Sequence, residues 1–241
     1  MTLPDMVNLI GQTQPEFLEK PDARAVQRCL TLLGFPTLMS GGIGIDGAMG
    51  PGTLRGLDMF RLEEPVTGGD IGTLYRRAVQ CPSFGAQETI GLLEANRRFT
   101  ASQIMSRFFQ RIDQAAKALQ VAPEMIAAIM AVETGGVPAF RFESHVYQRM
   151  GGEPRERRIK STSWGLFQVM GFNIQDSEIR PFDTIFSFIY FTDFLKKSPR
   201  ILDAMRRNDW AGIAKGYNGA GFRQNRYDEK LQKAYEGAKN G

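Results

Sequence analysis

Pro123-Glu-Met-Ile-Ala-Ala-Ile-Met-Ala-Val-Glu133 is an apolar helix pattern that closes on a carboxylate. Ile126, Ile129, Met130 and Glu133 recur at i, i+3, i+4 and i+7, which predicts a helix with all four on one buried face. Thr134-Gly135-Gly136 then breaks the pattern. Burial disfavours the ionised form of Glu133, and the partial negative charge at a helix C-terminus acts in the same direction. A carboxyl raised in this way can hold a proton near neutral pH, as a general acid must. The competing structural reading is a glutamate turned to solvent or paired with an arginine at the helix end.

Helical patterns extend on both sides of this run. Thr100 and Gln103 have capping-box spacing, and Ile104, Phe108, Ile112, Ala115 and Leu119 trace one apolar stripe. Residues 135–162 are rich in Gly, Pro and Arg and show no clear period. Helices are expected again over 181–197, 198–207, 209–215 and 226–239. Toward the N-terminus, 22–33 predicts a capped amphipathic helix with Val26, Cys29, Leu30 and Leu33 on one face. The glycine-rich stretch 41–52 favours turns. Helices follow from about 51 to 60 and 70 to 79, and 81–85 reads as a linker. The expected class is therefore all-α, with a small domain at 1–85 and a larger one at 86–241.

The 241 residues suffice for one large domain or two modest ones, and 42% apolar with 23% charged residues is ordinary for a globular protein. Cys29 and Cys81 are too few for a disulfide framework and lack metal-ligand spacing. With His145 the only histidine, a Cys/His zinc site has no ligand set. No metal or organic cofactor is implied. Residues 1–85 hold 7 Lys/Arg against 9 Asp/Glu, and 86–241 hold 23 against 17. A basic C-terminal half suits an anionic polymer such as nucleic acid, lipid headgroups or cell wall. No nucleic-acid-binding motif accompanies it. The first residues lack a basic region and apolar core of the secretory type, so synthesis in the cytosol is expected.

Three segments carry the chemistry together: Val132-Glu-Thr-Gly-Gly136, Ser163-Trp-Gly-Leu-Phe-Gln-Val-Met170 and Gly216-Tyr-Asn-Gly-Ala-Gly221. Their order resembles that of the lysozyme-like superfamily, notably goose-type lysozymes and soluble lytic transglycosylases. The phage N-acetylmuramidase family of modular endolysins is more similar still, with Ala139-Phe-Arg-Phe-Glu-Ser-His-Val-Tyr147 added, from about Glu88 onward. Ala25-Val-Gln-Arg-Cys-Leu-Thr-Leu-Leu-Gly-Phe35 with Ile45-Asp-Gly-Ala-Met-Gly-Pro-Gly-Thr-Leu54 resembles a three-helix peptidoglycan-binding domain. Met49 stands where that family usually has an aromatic residue.

The resemblance implies a lysozyme-like helical catalytic domain with Glu133 as general acid on the bond between N-acetylmuramic acid and N-acetylglucosamine. Glu143 is either a group that orients or deprotonates water or a salt-bridge partner of nearby arginines. Ser163, Gln168, Tyr217 and Asn218 would line the sugar groove, and His145 would bind substrate or support structure. Asp176, Glu178 and Asp183 are further acids near the groove. Asp46, Gly47, Gly50, Thr53 and Leu54 would contact the wall. The implied protein is a monomeric phage endolysin that cleaves peptidoglycan, binds no nucleic acid, and waits in the host cytoplasm until a holin-type factor opens the membrane. Its basic half offers a surface to anionic outer-membrane lipids. Two other readings remain open: a lytic transglycosylase making anhydromuramic ends, and a non-catalytic wall-binding protein.

Overall fold

The computed structural model describes residues 20–33, 45–63, 73–74, 77–78, 84–95, 97–174 and 183–241. The chain is mainly α-helical and divides into two compact units, Met1–Asn96 with Glu178–Asp183, and Arg97–Ser177 with Thr184–Gly241.

In the first unit, helix α1 (Lys20–Leu32) begins two residues before the expected Asp22 cap. Its apolar face, Val26, Cys29 and Leu30, packs with Leu57 and Phe60 of α2 (Pro51–Glu63) and with Leu74 and Ala78. Met49 packs against the same cluster, its unbranched thioether filling space beside it. Burying side chains such as Phe60 and Leu30 supplies roughly 1.5–3 kcal/mol each. Helix α3 (Phe84–Glu94) also packs on α1. Phe84 and Gly85, expected in a linker, are its first turn. Residues 73–74 and 77–78 of the expected 70–79 helix are helical. Cys81 lies outside the described residues. Cys29 is a free, buried thiol, pushed up to about 12 by burial.

The second unit opens with the expected capping box: Thr100 accepts from the Gln103 amide, and the Gln103 side chain accepts from Thr100 N–H. The apolar stripe is wholly buried, but the helix breaks at Phe108 into α4 (Ala101–Arg107) and α5 (Phe109–Leu119). Gln120, in the left-handed region at φ 55°, ends α5, and Pro123 starts α6 (Pro123–Glu133). Met125 to Met130 are all fully buried. The helix is thus enclosed on every side rather than on the single face that the spacing suggests.

Residues 135–162, aperiodic in sequence, form strand β1 (Ala139–Phe142) and two short helices, α7 (Ser144–Arg149) and α8 (Pro154–Lys160). Strands β2 (Thr162–Gly165) and β3 (Val169–Met170) complete an antiparallel sheet in the order β1-β2-β3, with Arg141 opposite Ser163 and Trp164 opposite Val169. A 3₁₀ turn (Gly171–Asn173) follows. Helices α9 (Thr184–Lys196), α10 (Pro199–Arg206), α11 (Trp210–Asn218) and α12 (Tyr227–Lys239) match four expected helices, with α11 running through the Gly216-Tyr-Asn segment. Helix α12 packs against α6, α4 and α11. No single helix among the described residues is long and apolar enough to cross a membrane.

Candidate active site

The site is organised by a hairpin turn whose tip is buried. Leu166 and Phe167, between β2 and β3, are completely enclosed, and Phe167 stacks on Phe191 of α9 at 4.0 Å between ring centroids. A buried turn must find partners for its backbone polar groups. Leu166 N–H donates to Ser187 Oγ at 3.3 Å. Its carbonyl accepts from Thr134 Oγ1 at 2.8 Å, and the Phe167 carbonyl accepts from Tyr217 Oη at 2.6 Å. These two bonds join the three sequence segments: Thr134 fixes the residue next to Glu133, and Tyr217 fixes the end of α11.

Helix α6 stops at Glu133 because Gly135 and Gly136 have φ of +64° and +75°, a region that glycine enters without a Cβ clash. A Cβ on Gly135 would lie 2.7 Å from the Arg98 side chain. Arg98 Nη2 donates to the Glu133 carbonyl oxygen at 3.4 Å, placing positive charge at the helix end.

The Glu133 side chain is partly enclosed, and its Oε1 accepts a hydrogen bond from Tyr227 Oη of α12. Burial pushes its carboxyl up to about 7; the Tyr227 hydrogen bond and the Arg141 charge pull the other way. Burial wins, so the carboxyl carries its proton for a large share of the time at neutral pH. The Tyr227 and Tyr217 rings lie nearly parallel, 14° apart with centroids at 6.5 Å. Both phenols are raised well above their usual range, first by burial and then by the charge of Glu133. The sequence pointed to Tyr217 but not to Tyr227, which no local spacing ties to Glu133.

A second cluster centres on Arg141 of β1. Its Nε pairs with Glu143 Oε1 at 3.0 Å, and His145 Nδ1 stands 3.6 Å from Glu143 Oε2. The Arg141 carbonyl accepts from Ser163 Oγ at 3.3 Å. Ser163 Oγ also lies within donating distance of Gln168 Oε1 at 3.0 Å, while Gln168 Nε2 donates to the carbonyls of Ala139 and Gly165. Gln168 has φ +51°, so the residue that turns the hairpin also ties it to β1. Asn218 is exposed at the end of α11. Asp183 is buried, and Asp176 and Glu178 lie outside the described residues. Two surface cavities in this unit, about 550 Å³ beside Met105 and Phe109 and about 490 Å³ between α5 and α9, are not lined by Glu133.

In the first unit, three of the five wall-contact candidates, Asp46, Gly47 and Thr53, meet at Gln27 of α1, which is almost fully buried. Its Nε2 lies at 2.8 Å from Asp46 Oδ1, 2.9 Å from the Ala48 carbonyl and 3.0 Å from Thr53 Oγ1, and its Oε1 accepts from Gly47 N–H at 2.9 Å. The Gln27 and Ala48 donors hold the Asp46 carboxyl below its ordinary value. Gly47 has φ +77°. Leu54 is exposed. A Gln on a helix reads as solvent-facing, which is why the sequence did not single out Gln27.

Residues 152–239 match the family model of N-acetylmuramidase. The second unit carries a muramidase segment. The chain is accordingly an enzyme of the peptidoglycan-hydrolase class. The match includes Ser163, Gln168, Tyr217, Asn218 and Tyr227, and it begins after Glu133 and Glu143. The crystal structure of the Burkholderia AP3 phage endolysin is similar at 21% identity over 91% of this chain and 96% of that chain, with a TM-score of 0.46. No curated protein matches the chain.

Proposed function

We propose that this muramidase hydrolyses the β-1,4 bond between N-acetylmuramic acid and N-acetylglucosamine, with Glu133 as general acid. The observation that carries the reading is the Glu133 carboxyl itself, raised to about 7 by burial yet still partly open to the outside. It gives its proton to the glycosidic oxygen as the bond breaks, in an oxocarbenium-like transition state. Glu143, held by Arg141 and close to His145, orients or activates water or stabilises the developing positive charge. Ser163 and Gln168 shape the groove wall through β1 and β2, and Tyr217, Asn218 and His145 offer hydrogen bonds to sugar substituents. The first unit anchors the enzyme on the wall through Asp46, Gly47, Gly50, Thr53 and Leu54. The biological setting we infer is that of an endolysin, held in the host cytoplasm and released to the wall by a holin-type factor, with basic surface available to anionic outer-membrane lipids.

The test is mass spectrometry of muropeptides released from purified peptidoglycan by wild type and by Glu133→Gln. Reducing muramic acid ends from the wild type alone support the proposal, and release of the same ends by the variant removes Glu133 from the role. Anhydromuramic ends turn the assignment to a lytic transglycosylase. The Arg141–Glu143 ion pair favours that second reading if it engages Glu143 throughout turnover, because such an enzyme needs only one acid/base group.

A further inference from the structure

We propose that Tyr227 is the positioning residue of the acid: its hydroxyl fixes the rotamer of Glu133 by occupying Oε1, so that Oε2 is the oxygen that delivers the proton. The role rests on the proposed reaction, but its geometry does not depend on the substrate. A glutamate at the end of a helix has three flexible torsions, and delivering a proton along one line requires that they be held. The donor that holds them comes from outside α6 altogether. Tyr227 is the first residue of α12, and α12 lies against α6.

The hold is itself braced. Tyr227 is buried, and its ring faces that of Tyr217. Tyr217 is fixed at its hydroxyl by the Phe167 carbonyl and at its ring edge by Phe194, at 5.8 Å and 82°. Arg226, just before Tyr227, adopts φ +50°, and its guanidinium bonds to Glu229 one turn on. The tyrosine therefore enters the helix at a set angle. The ring is locked by packing, which leaves the hydroxyl in place for Glu133.

The donor also sets the acid's protonation. A hydroxyl donating to a carboxylate stabilises the charged form, opposing the effect of burial. Among the described residues, the titratable or charged groups around Glu133 are Tyr227 on α12, Tyr217 on α11, Arg141 on β1 and Arg98 ahead of α4. Of these, only Tyr227 donates to the carboxyl in a direct hydrogen bond; Arg98 reaches the backbone carbonyl, and Arg141 acts through its charge. Removing the Tyr227 hydroxyl therefore raises the pKa of Glu133 and loosens its rotamer together.

Tyr227→Phe keeps the ring and its packing while deleting the donor. In full-length enzyme acting on soluble peptidoglycan glycan strands, kcat should fall by about tenfold to a hundredfold with KM nearly constant. The alkaline limb of the kcat profile should move up by about 1–2 pH units, the value of a hydrogen bond to a charged group. Carboxyl ¹³C NMR of labelled glutamate should show the same upward titration shift for Glu133 without any turnover. Incorporating 3-fluorotyrosine at position 227, a stronger donor, should move that titration down. An unmoved Glu133 titration in both proteins, or a lower kcat explained by a smaller folded fraction, overturns the positioning role even if muramic acid ends are still released. Wild type that releases no such ends overturns the reaction instead, while the titration still reports whether Tyr227 holds the carboxyl.

Discussion

Gln27 and Glu133 are both helix residues turned into the protein, and they differ in how completely their surroundings satisfy them. Gln27 donates to Asp46, Ala48 or Thr53 and accepts from Gly47, so its amide is answered on both sides. Glu133 receives one strong donor, from Tyr227, in surroundings that penalise its charge. The first arrangement is a saturated network that holds residues 46–53 in one arrangement. The second leaves a group whose charge state is close to balanced, which makes it chemically useful. Buried polar atoms serve structure when satisfied and reactivity when held short of it.

Glu133→Gln should break the comparison most sharply. It keeps an acceptor for Tyr227 and removes the proton, so activity should drop by about 10²–10⁴-fold in a muropeptide release assay. The same variant should be more stable than wild type at neutral pH. Below about pH 4.5 Glu133 is protonated in both the folded and unfolded chains. Between that value and about 7 the unfolded chain loses its proton while the folded one retains it. Stability therefore falls across this window, by up to about 3 kcal/mol above it. Urea denaturation of the two proteins should converge near pH 4 and separate at pH 8, and parallel curves would refute the buried-acid account.

Gln27→Leu should do the reverse. It leaves Gly47 N–H and the Asp46, Ala48 and Thr53 oxygens without their common partner, at a cost of roughly 2–4 kcal/mol in chemical denaturation. Turnover of soluble peptidoglycan glycan strands per folded molecule should stay unchanged. Arg141→Gln should have the smallest effect on the pH profile. Losing a cation that favours ionised Glu133 should move the alkaline limb upward by less than about one unit, a shift that high salt should mimic in the wild type. A downward move would contradict the sign of that interaction.

The sequence revealed most where the chain is periodic. The stripe from Ile104 to Leu119 is buried as its spacing indicates, although the break at Phe108 was not legible, because that residue stays on the buried face through it. The sheet escaped notice because strands of four, four and two residues are too short for alternation to register. Glu133 stood out because a carboxylate interrupts an apolar run. Tyr227 did not, because its bond to Glu133 spans 94 residues and depends on how α12 packs. The joining of Thr134 and Tyr217 through the Leu166–Phe167 carbonyls was likewise hidden, since any backbone carbonyl could have played that part.

That 94-residue reach bears on when the proposed acid is ready. A contact so distant along the chain forms late in folding, after the nearer ones that cost less loop entropy. Until α12 docks, Glu133 ends a helix with no hand on its carboxyl. During synthesis it must wait for the ribosome to release the residues through Tyr227. If Glu133 is the acid, an enzyme arranged this way comes off the translation line with its cutting edge sheathed, and the docking of α12 draws it.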